Sequence, residues 1–90
     1  MTKTELANIL NIDKSMIEQV GAKQLFVVRR SLNKELYSYR TKVGYSELID
    51  GIVVWKLTTT KYSPTTSKQL SQFASMKRSK GINCIYSDEI

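Results

Sequence analysis

The residues with the clearest chemical potential are five cations in the middle of the chain, interleaved with tyrosines. The cations are Arg29, Arg30, Lys34, Arg40 and Lys42, and the tyrosines are Tyr37, Tyr39 and Tyr45. Guanidinium and ammonium groups bind sugar-phosphate oxygens, and aromatic rings stack on unpaired bases. The same tyrosines also suit a β-sheet surface, where they pack across strands. The pattern therefore predicts a nucleic-acid contact and leaves a purely structural role open.

The whole chain is basic, with 14 Lys and Arg residues against 8 Asp and Glu residues, a formal charge of +6 and a pI of about 9.6. Residues 21–45 hold six basic groups and one acid, and residues 61–80 hold five basic groups and no acid. A field of this sign attracts phosphates, acidic protein surfaces or anionic membranes. We hypothesise that the two blocks merge into one patch, against the alternative that these charges only solvate the surface.

Residues for catalysis or metal binding are scarce. The chain has no histidine and a single cysteine, Cys84, which excludes an internal disulfide and a zinc site of the usual type. The carboxylates are scattered, and the four glycines form no phosphate-binding loop. We therefore expect a protein that is not an enzyme and that carries no cofactor or metal.

The N-terminal segment carries helix signals. Thr2 and Glu5 have the spacing of a capping box, and the apolar residues that follow at helical intervals predict a helix over residues 3–10. Asp13 can cap a second helix that ends near Gly21. A helical hairpin is the expected element.

From residue 24 the pattern changes to β-branched and aromatic residues separated by turn signals. One hairpin is expected over residues 24–30 and 35–41. A second pairs residues 42–49 with 52–59 across Asp50-Gly51, a dipeptide typical of type I′ turns because both central residues need positive φ.

A closing helix is expected after Pro64, the only proline in the chain. Thr66 and Gln69 repeat the capping-box spacing, and the apolar side that follows predicts a helix over residues 66–78. The tail, residues 79–90, is compatible with either an edge strand or an irregular end.

These elements predict one α+β domain over residues 1–90. In it, the N-terminal helical hairpin (residues 1–21) precedes an antiparallel sheet of three or four strands (residues 24–60). The C-terminal helix is expected to pack on one face of that sheet.

The opening segment, TELANILNIDKSMIEQV, has a small residue, Ala7, within its first helix and apolar residues at the inward positions of both helices. Those positions are Leu6, Leu10, Ile12, Ile17 and Val20. The pattern resembles the helix-turn-helix of MerR-type and excisionase-type DNA-binding proteins, with Asn11 where that family usually has a turn glycine. The resemblance implies a second helix in the major groove, with Lys14 and Ser15 nearest the backbone and Gln19 able to read a base edge. The alternative is that the apolar residues only close the core over the sheet.

Residues 36–76 include an extended segment that ends in Tyr62-Ser63 and leads through Thr65-Thr66-Ser67-Lys68 into the closing helix. This arrangement is similar to a small uncharacterised domain of tailed phages and mobile elements, which implies a viral or mobile-element origin and no particular activity. The hydroxyls and free N–H groups at the helix start suit an anion, and Lys61 and Lys68 would strengthen such a site. The alternative is that the hydroxyls only cap the helix.

Two binding functions follow as expectations. In the first, the protein is a small regulatory DNA-binding protein of phage type that holds the phosphates of double-stranded DNA. In the second, it is a phage-encoded inhibitor of a host protein such as a nuclease, a polymerase or a defence complex. An exposed Trp55 would favour the second, because Trp dominates many interfaces, whereas a buried Trp55 would belong to the core.

The apolar runs are far too short to cross a bilayer. We therefore expect no membrane partner and a cytoplasmic location, in the host cell if the protein is viral. The sequence leaves open whether the protein is a monomer or a homodimer.

Overall fold

The computed structural model describes residues 1–20 and 24–90, which form two α-helices, one 3-10 turn and six strands. In chain order these are α1 (Lys3–Leu10), the 3-10 turn (Lys14–Met16), β1 (Ile17–Gln19), β2 (Leu25–Arg29), β3 (Lys34–Ser38), β4 (Thr41–Ile49), β5 (Ile52–Thr58), α2 (Pro64–Ser79) and β6 (Asn83–Ser87). The strands form one sheet in the order β1-β2-β3-β4-β5-β6. Neighbours are antiparallel from β1 to β5, and β6 runs parallel to β5 because the chain returns through α2.

The predicted helical hairpin is wrong, because its second helix does not form. The first helix, α1, is present with the Thr2/Glu5 capping box. After it, Asp13 accepts a hydrogen bond from the Ser15 backbone N–H at 2.8 Å, and this closes only the single 3-10 turn. The chain then enters β1 at Ile17. The predicted helix end at Gly21 lies outside the described residues.

This segment forms a strand and not a helix because of the elements that cover its apolar side chains. Ile17 and Val20 would share a face in a helix, but here they pack into different hydrophobic clusters, Ile17 with α1 and Val20 with α2. As a strand, the segment also gains ladder hydrogen bonds from β2, which an isolated two-turn helix could not match.

The predicted antiparallel sheet of three or four strands is also wrong, since the sheet has six strands and is mixed. Four of them, β2 to β5, fall within the predicted strand regions. The turn at Asp50-Gly51 forms as predicted, with φ of 51° and 77° at its two residues. The tail supplies β6, and the second edge strand, β1, comes from the segment predicted to be a helix.

Alternation along β2 divides the core into two layers. Leu25 and Val27 point to the side of α2, which we call the α2 face; its cluster is Leu25, Val27, Leu36, Val43, Trp55, Leu57, Leu70, Phe73, Ala74 and Cys84. The opposite side, the α1 face, holds the cluster Leu6, Ala7, Ile17, Phe26, Val28 and Tyr37. α1 therefore covers β1 to β3. The C-terminal helix, predicted to pack on one face of the sheet, instead lies beside the sheet as α2, because it connects β5 to the edge strand β6, and its apolar residues join the core of the α2 face.

Trp55 belongs to the core of the α2 face. Its side chain is 2% exposed and meets the Phe73 ring edge-on, with 5.0 Å between centroids and 80° between planes. This geometry is a favourable arrangement for two aromatic rings. The interface role that an exposed Trp55 would have favoured has no support.

The predicted start of the last helix needs correction. The helix begins at Pro64, and the residue that caps it is Ser63, whose Oγ accepts from the Thr66 N–H at 3.1 Å. Proline suits the first helical position because its missing N–H would have no partner there. Thr66 and Gln69 are buried instead, and the Ser38 hydroxyl lies 3.2 Å from Thr66 Oγ1 and donates to Gln69 Oε1 at 2.8 Å. These contacts hold the start of α2 to β3.

Candidate nucleic-acid interface

Strand register brings two of the predicted cations together. Arg29, the last residue of β2, lies directly opposite Lys34, the first residue of β3. Side chains of directly opposed residues share a face, with Cβ atoms about 5 Å apart, and like charges in that position lower stability. Alternation along both strands places this pair on the α2 face. A like-charge pair that costs folding free energy is a candidate for binding an anion.

Arg29 also connects to the turn that precedes β1. Its Nη2 donates to the Ser15 carbonyl oxygen at 2.9 Å. Lys14, Ser15 and Arg29 line one shallow depression at this edge of the sheet, together with Lys3 and the carboxylates of Asp13 and Glu18. Hydrogen bonds from Ser15, chiefly from its backbone N–H, lower the pKa of Asp13 and keep this turn closed. Lys14 and Ser15 therefore lie beside Arg29 although the helix predicted to carry them is absent.

Gln19 is separated from this group. It is paired with Phe26 in the ladder, and Phe26 belongs to the α1 face. The base contact predicted for Gln19 required the second helix, so the structure provides no element that would carry it into a groove.

Two lysines that were not among the predicted site residues, Lys77 and Lys80, lie at the C-terminal end of α2. Lys77 Nζ lies 5.5 Å from the Trp55 ring centroid and 5.4 Å from that of Phe73. Burial and the neighbouring charges of Lys34 and Lys80 lower the pKa of the Lys77 amine. The basic block of residues 21–45 therefore lies beside the basic block of residues 61–80. The signal for these lysines in the sequence was the presence of five basic residues and no acid in residues 61–80.

We call Lys14, Arg29, Lys34, Lys77 and Lys80 the basic ridge. The backbone under its centre is rigid, because the buried Ser46 hydroxyl accepts from the Lys34 N–H at 2.8 Å. Among the described residues, no member of the ridge forms an ion pair with a carboxylate. Glu18 is the acid whose charge acts on Lys77. The ridge therefore joins Lys14 to cations from both basic blocks, and the acids beside it are Asp13 and Glu18.

Arg30 and Lys42, also predicted to bind phosphate, are instead neutralised on the α1 face. Arg30 Nε lies 2.8 Å from Glu35 Oε1, and Lys42 Nζ lies 2.9 Å from Glu35 Oε2. The Tyr37 hydroxyl donates to Glu35 Oε1 at 3.3 Å. Burial of Glu35 opposes ionisation, but the hydrogen bonds from Arg30 and Lys42 outweigh it and lower the pKa of the carboxyl. These two cations stabilise the sheet and are poorly placed to serve a ligand.

The tyrosines predicted to stack on bases have mostly other surroundings. Tyr37 is buried in the core of the α1 face. Tyr45 has Lys42 Nζ 5.4 Å and Lys56 Nζ 5.9 Å from its ring centroid, so the chain's own cations already cover the ring. Tyr39 is exposed in the turn between β3 and β4. The structural role left open by the sequence fits Tyr37 and Tyr45.

Replacing Glu35 by Gln is expected to lower the free energy of unfolding by about 1–3 kcal/mol near neutral pH, because Arg30 and Lys42 lose a partly buried charged acceptor. The folded-state pKa of Glu35 lies below its ordinary value of 4.5. Its contribution is therefore complete above the unfolded pKa and is lost as pH falls through the folded pKa. Urea denaturation at about pH 7 and about pH 3 should show that the difference in unfolding free energy between the wild type and Glu35→Gln becomes smaller in acid. Glu89→Gln, at an exposed position, is the matched control. If the wild type and Glu35→Gln differed as much at about pH 3 as at about pH 7, the stabilising role of the Glu35 carboxylate would be contradicted.

The other predicted cations lie away from the ridge. Arg40 is in the β3–β4 turn, at the opposite end of the sheet from the β2–β3 turn, and Lys68 is exposed near the start of α2. Lys61 follows β5 and lines a cleft of about 270 Å³ with hydroxyl residues: Thr58, Thr59, Thr60, Ser67, Ser71 and Tyr86. Lys68 does not line this cleft, and Ser63 caps the helix. The hydroxyls of Ser63 and Thr66 thus have the structural roles expected from the capping alternative.

No family model, curated protein or solved structure matches the chain. In the part of the chain that the structure describes, no helix has both the length and the apolar character needed to cross a membrane. An assignment of function therefore depends on the physical properties of the basic ridge.

Proposed function

We propose that the protein binds the phosphate backbone of double-stranded DNA through the basic ridge. The observation that supports this proposal best is the direct pairing of Arg29 with Lys34, beside Lys77 and Lys80. Clustered like charges weaken a fold unless a counter-charge is present, and a phosphate backbone supplies a row of such charges.

This binding would depend little on DNA sequence. Backbone contacts position a protein on a duplex but carry no direct sequence information, which base-edge contacts in a groove would supply. In the described residues, the second helix predicted to make such contacts does not form. A regulatory role, a phage or mobile-element origin and a cytoplasmic location belong to the same proposal and have their support in the sequence patterns.

The proposal is tested by fluorescence anisotropy of a labelled random duplex at salt concentrations from about 50 mM to about 200 mM. Each neutralised phosphate adds about 0.9 to the slope of log affinity on log salt, so the ridge predicts a slope of about −3 to −5. Affinity should fall about 60- to 1,000-fold over that range. A slope near zero, or no binding at the lowest salt, would reject the proposal.

A second candidate, binding to a host protein, is favoured by apolar side chains at the tips of two hairpins. Leu32 is 94% exposed in the β2–β3 turn, and the tip of the β4–β5 hairpin exposes Leu48, Ile49, Ile52 and Val53. Both tips lie at the end of the sheet where β3 begins, close to the ridge. Exposed aliphatic side chains mark protein contacts and contribute nothing to phosphate binding. The salt titration separates the two candidates, since this one predicts no duplex affinity.

A further inference from the structure

The outer edge of β6 is open to another strand. In the described sheet β6 is the last strand and pairs only with β5. The Thr59 N–H donates to the Ser87 carbonyl at 3.2 Å, so the backbone groups of Ser87 face β5. Because backbone groups alternate in direction along a strand, those of Cys84 and Tyr86 face outward. An edge of this kind is a template for pairing with a further chain.

The strand itself has none of the usual protection. Edge strands are commonly blunted by charged residues or proline, but the sequence of β6 is Asn-Cys-Ile-Tyr-Ser. Ile85 and Tyr86, neighbours that point to opposite faces, are 47% and 45% exposed. The edge is therefore uncharged and partly apolar on both sides.

The protection comes from α2. Arg78, in the last turn of that helix, donates from Nε and Nη2 to the Cys84 carbonyl oxygen at 3.2 Å and 2.7 Å. This carbonyl is one of the outward acceptors of the edge. The guanidinium thereby occupies the position from which a partner strand would donate.

We propose that Arg78 closes the β6 edge against pairing with β6 of a second copy of this chain. Two β6 strands fit antiparallel around a twofold axis at Ile85, with Cys84 of one copy opposite Tyr86 of the other. In that register the two outward-facing residues exchange backbone hydrogen bonds in both directions. One of those bonds ends on the Cys84 carbonyl that Arg78 occupies, so pairing requires its release.

The charges around β6 identify a second copy as the matching partner. Asp88 and Glu89 follow the strand, and Lys80 precedes it. In the antiparallel register, Asp88 of each copy lies opposite Ile82 of the other, which follows Lys80 by two residues. Opposite charges therefore meet twice, once on each side of the axis, and the strand between them is neutral.

The test compares the wild-type chain with Arg78→Met by sedimentation velocity over a wide range of protein concentration. Met keeps the apolar stem of Arg78 and removes the donors. The wild type should remain a monomer, and R78M should double in mass, with self-association at least about tenfold stronger. R78M/I85K, which adds a charge at the twofold axis, should return to the monomer.

Lys68→Met is the matched control, because it removes one charge from the same helix without touching β6. Self-association of K68M equal to that of R78M would mean that net charge, and not the edge, is responsible. A monomeric R78M, or a wild type that dimerises as strongly, would overturn the proposal. Arg78→Gln is tested beside R78M, and far-UV circular dichroism selects the variant that is folded.

Discussion

Replacing Lys34, Lys77 and Lys80 together by methionine is expected to weaken duplex binding about 1,000-fold or more, since each charged contact to phosphate contributes about 1.5 kcal/mol or more. The salt slope should fall by about 2.7 for the three lost contacts. Methionine is suitable because the Lys77 ammonium lies over the rings of Trp55 and Phe73, and an unbranched apolar side chain with a thioether can keep contact with them. Anisotropy titrations of the labelled duplex measure both quantities.

The matched control is a second triple variant, Arg40→Met, Lys61→Met and Lys68→Met. It removes the same net charge from residues that lie away from the ridge, and its affinity should change by less than about threefold. An equal loss of duplex affinity in the two triple variants would mean that binding depends on net charge, and the basic ridge would then not be the binding site. Thermal unfolding gives a further check, because relieving the charge repulsion around Lys34 and Lys77 should leave stability unchanged or higher.

Replacing Trp55 by Ala is expected to remove about 3–5 kcal/mol of folding free energy. The side chain is 2% exposed, and its loss would leave a cavity under Phe73 and Lys77 that neighbouring strands cannot fill. The total free energy of unfolding of a domain of this size is about 5–15 kcal/mol, so the variant should be close to unfolding. Urea denaturation followed by far-UV circular dichroism measures the change.

Tyr62→Ala provides the comparison for Trp55, because Tyr62 is an aromatic residue that is 51% exposed. Its loss should change the free energy of unfolding by less than about 0.5 kcal/mol. A loss of only that size for W55A would show that the core on the α2 face does not depend on Trp55.

Much of the local structure could be predicted because it depends on interactions within a few residues. The capping box of Thr2 and Glu5 starts α1, and Asp50-Gly51 supplies the two positive φ angles of its turn. Runs of β-branched and aromatic residues between turn signals likewise located β2 to β5. In each case the predictive signal lies within a few neighbouring residues, so tertiary contacts did not have to be known.

The predictions failed where the deciding partner is distant in sequence. Ile17 and Val20 have a spacing that suits one face of a helix or two faces of a strand, and the edge of β2 together with the two helices decided for the strand. The sequence left residues 79–90 open between an edge strand and an irregular end, and β6 forms there because it pairs with β5, which the chain reaches through the crossover. Strand pairing over such distances depends on the whole fold.

The candidate site divides in the same way. Composition and the position of the cations determined, by themselves, that the protein is strongly basic and that its charge lies in two blocks. Only the tertiary structure decided which cations belong to the basic ridge. Arg29 and Arg30 are adjacent in sequence, yet strand alternation places Arg29 opposite Lys34 and leaves Arg30 paired with Glu35 on the other face. Charge is a property of the residue types, whereas its compensation depends on which side chains the sheet register and the helix packing bring together.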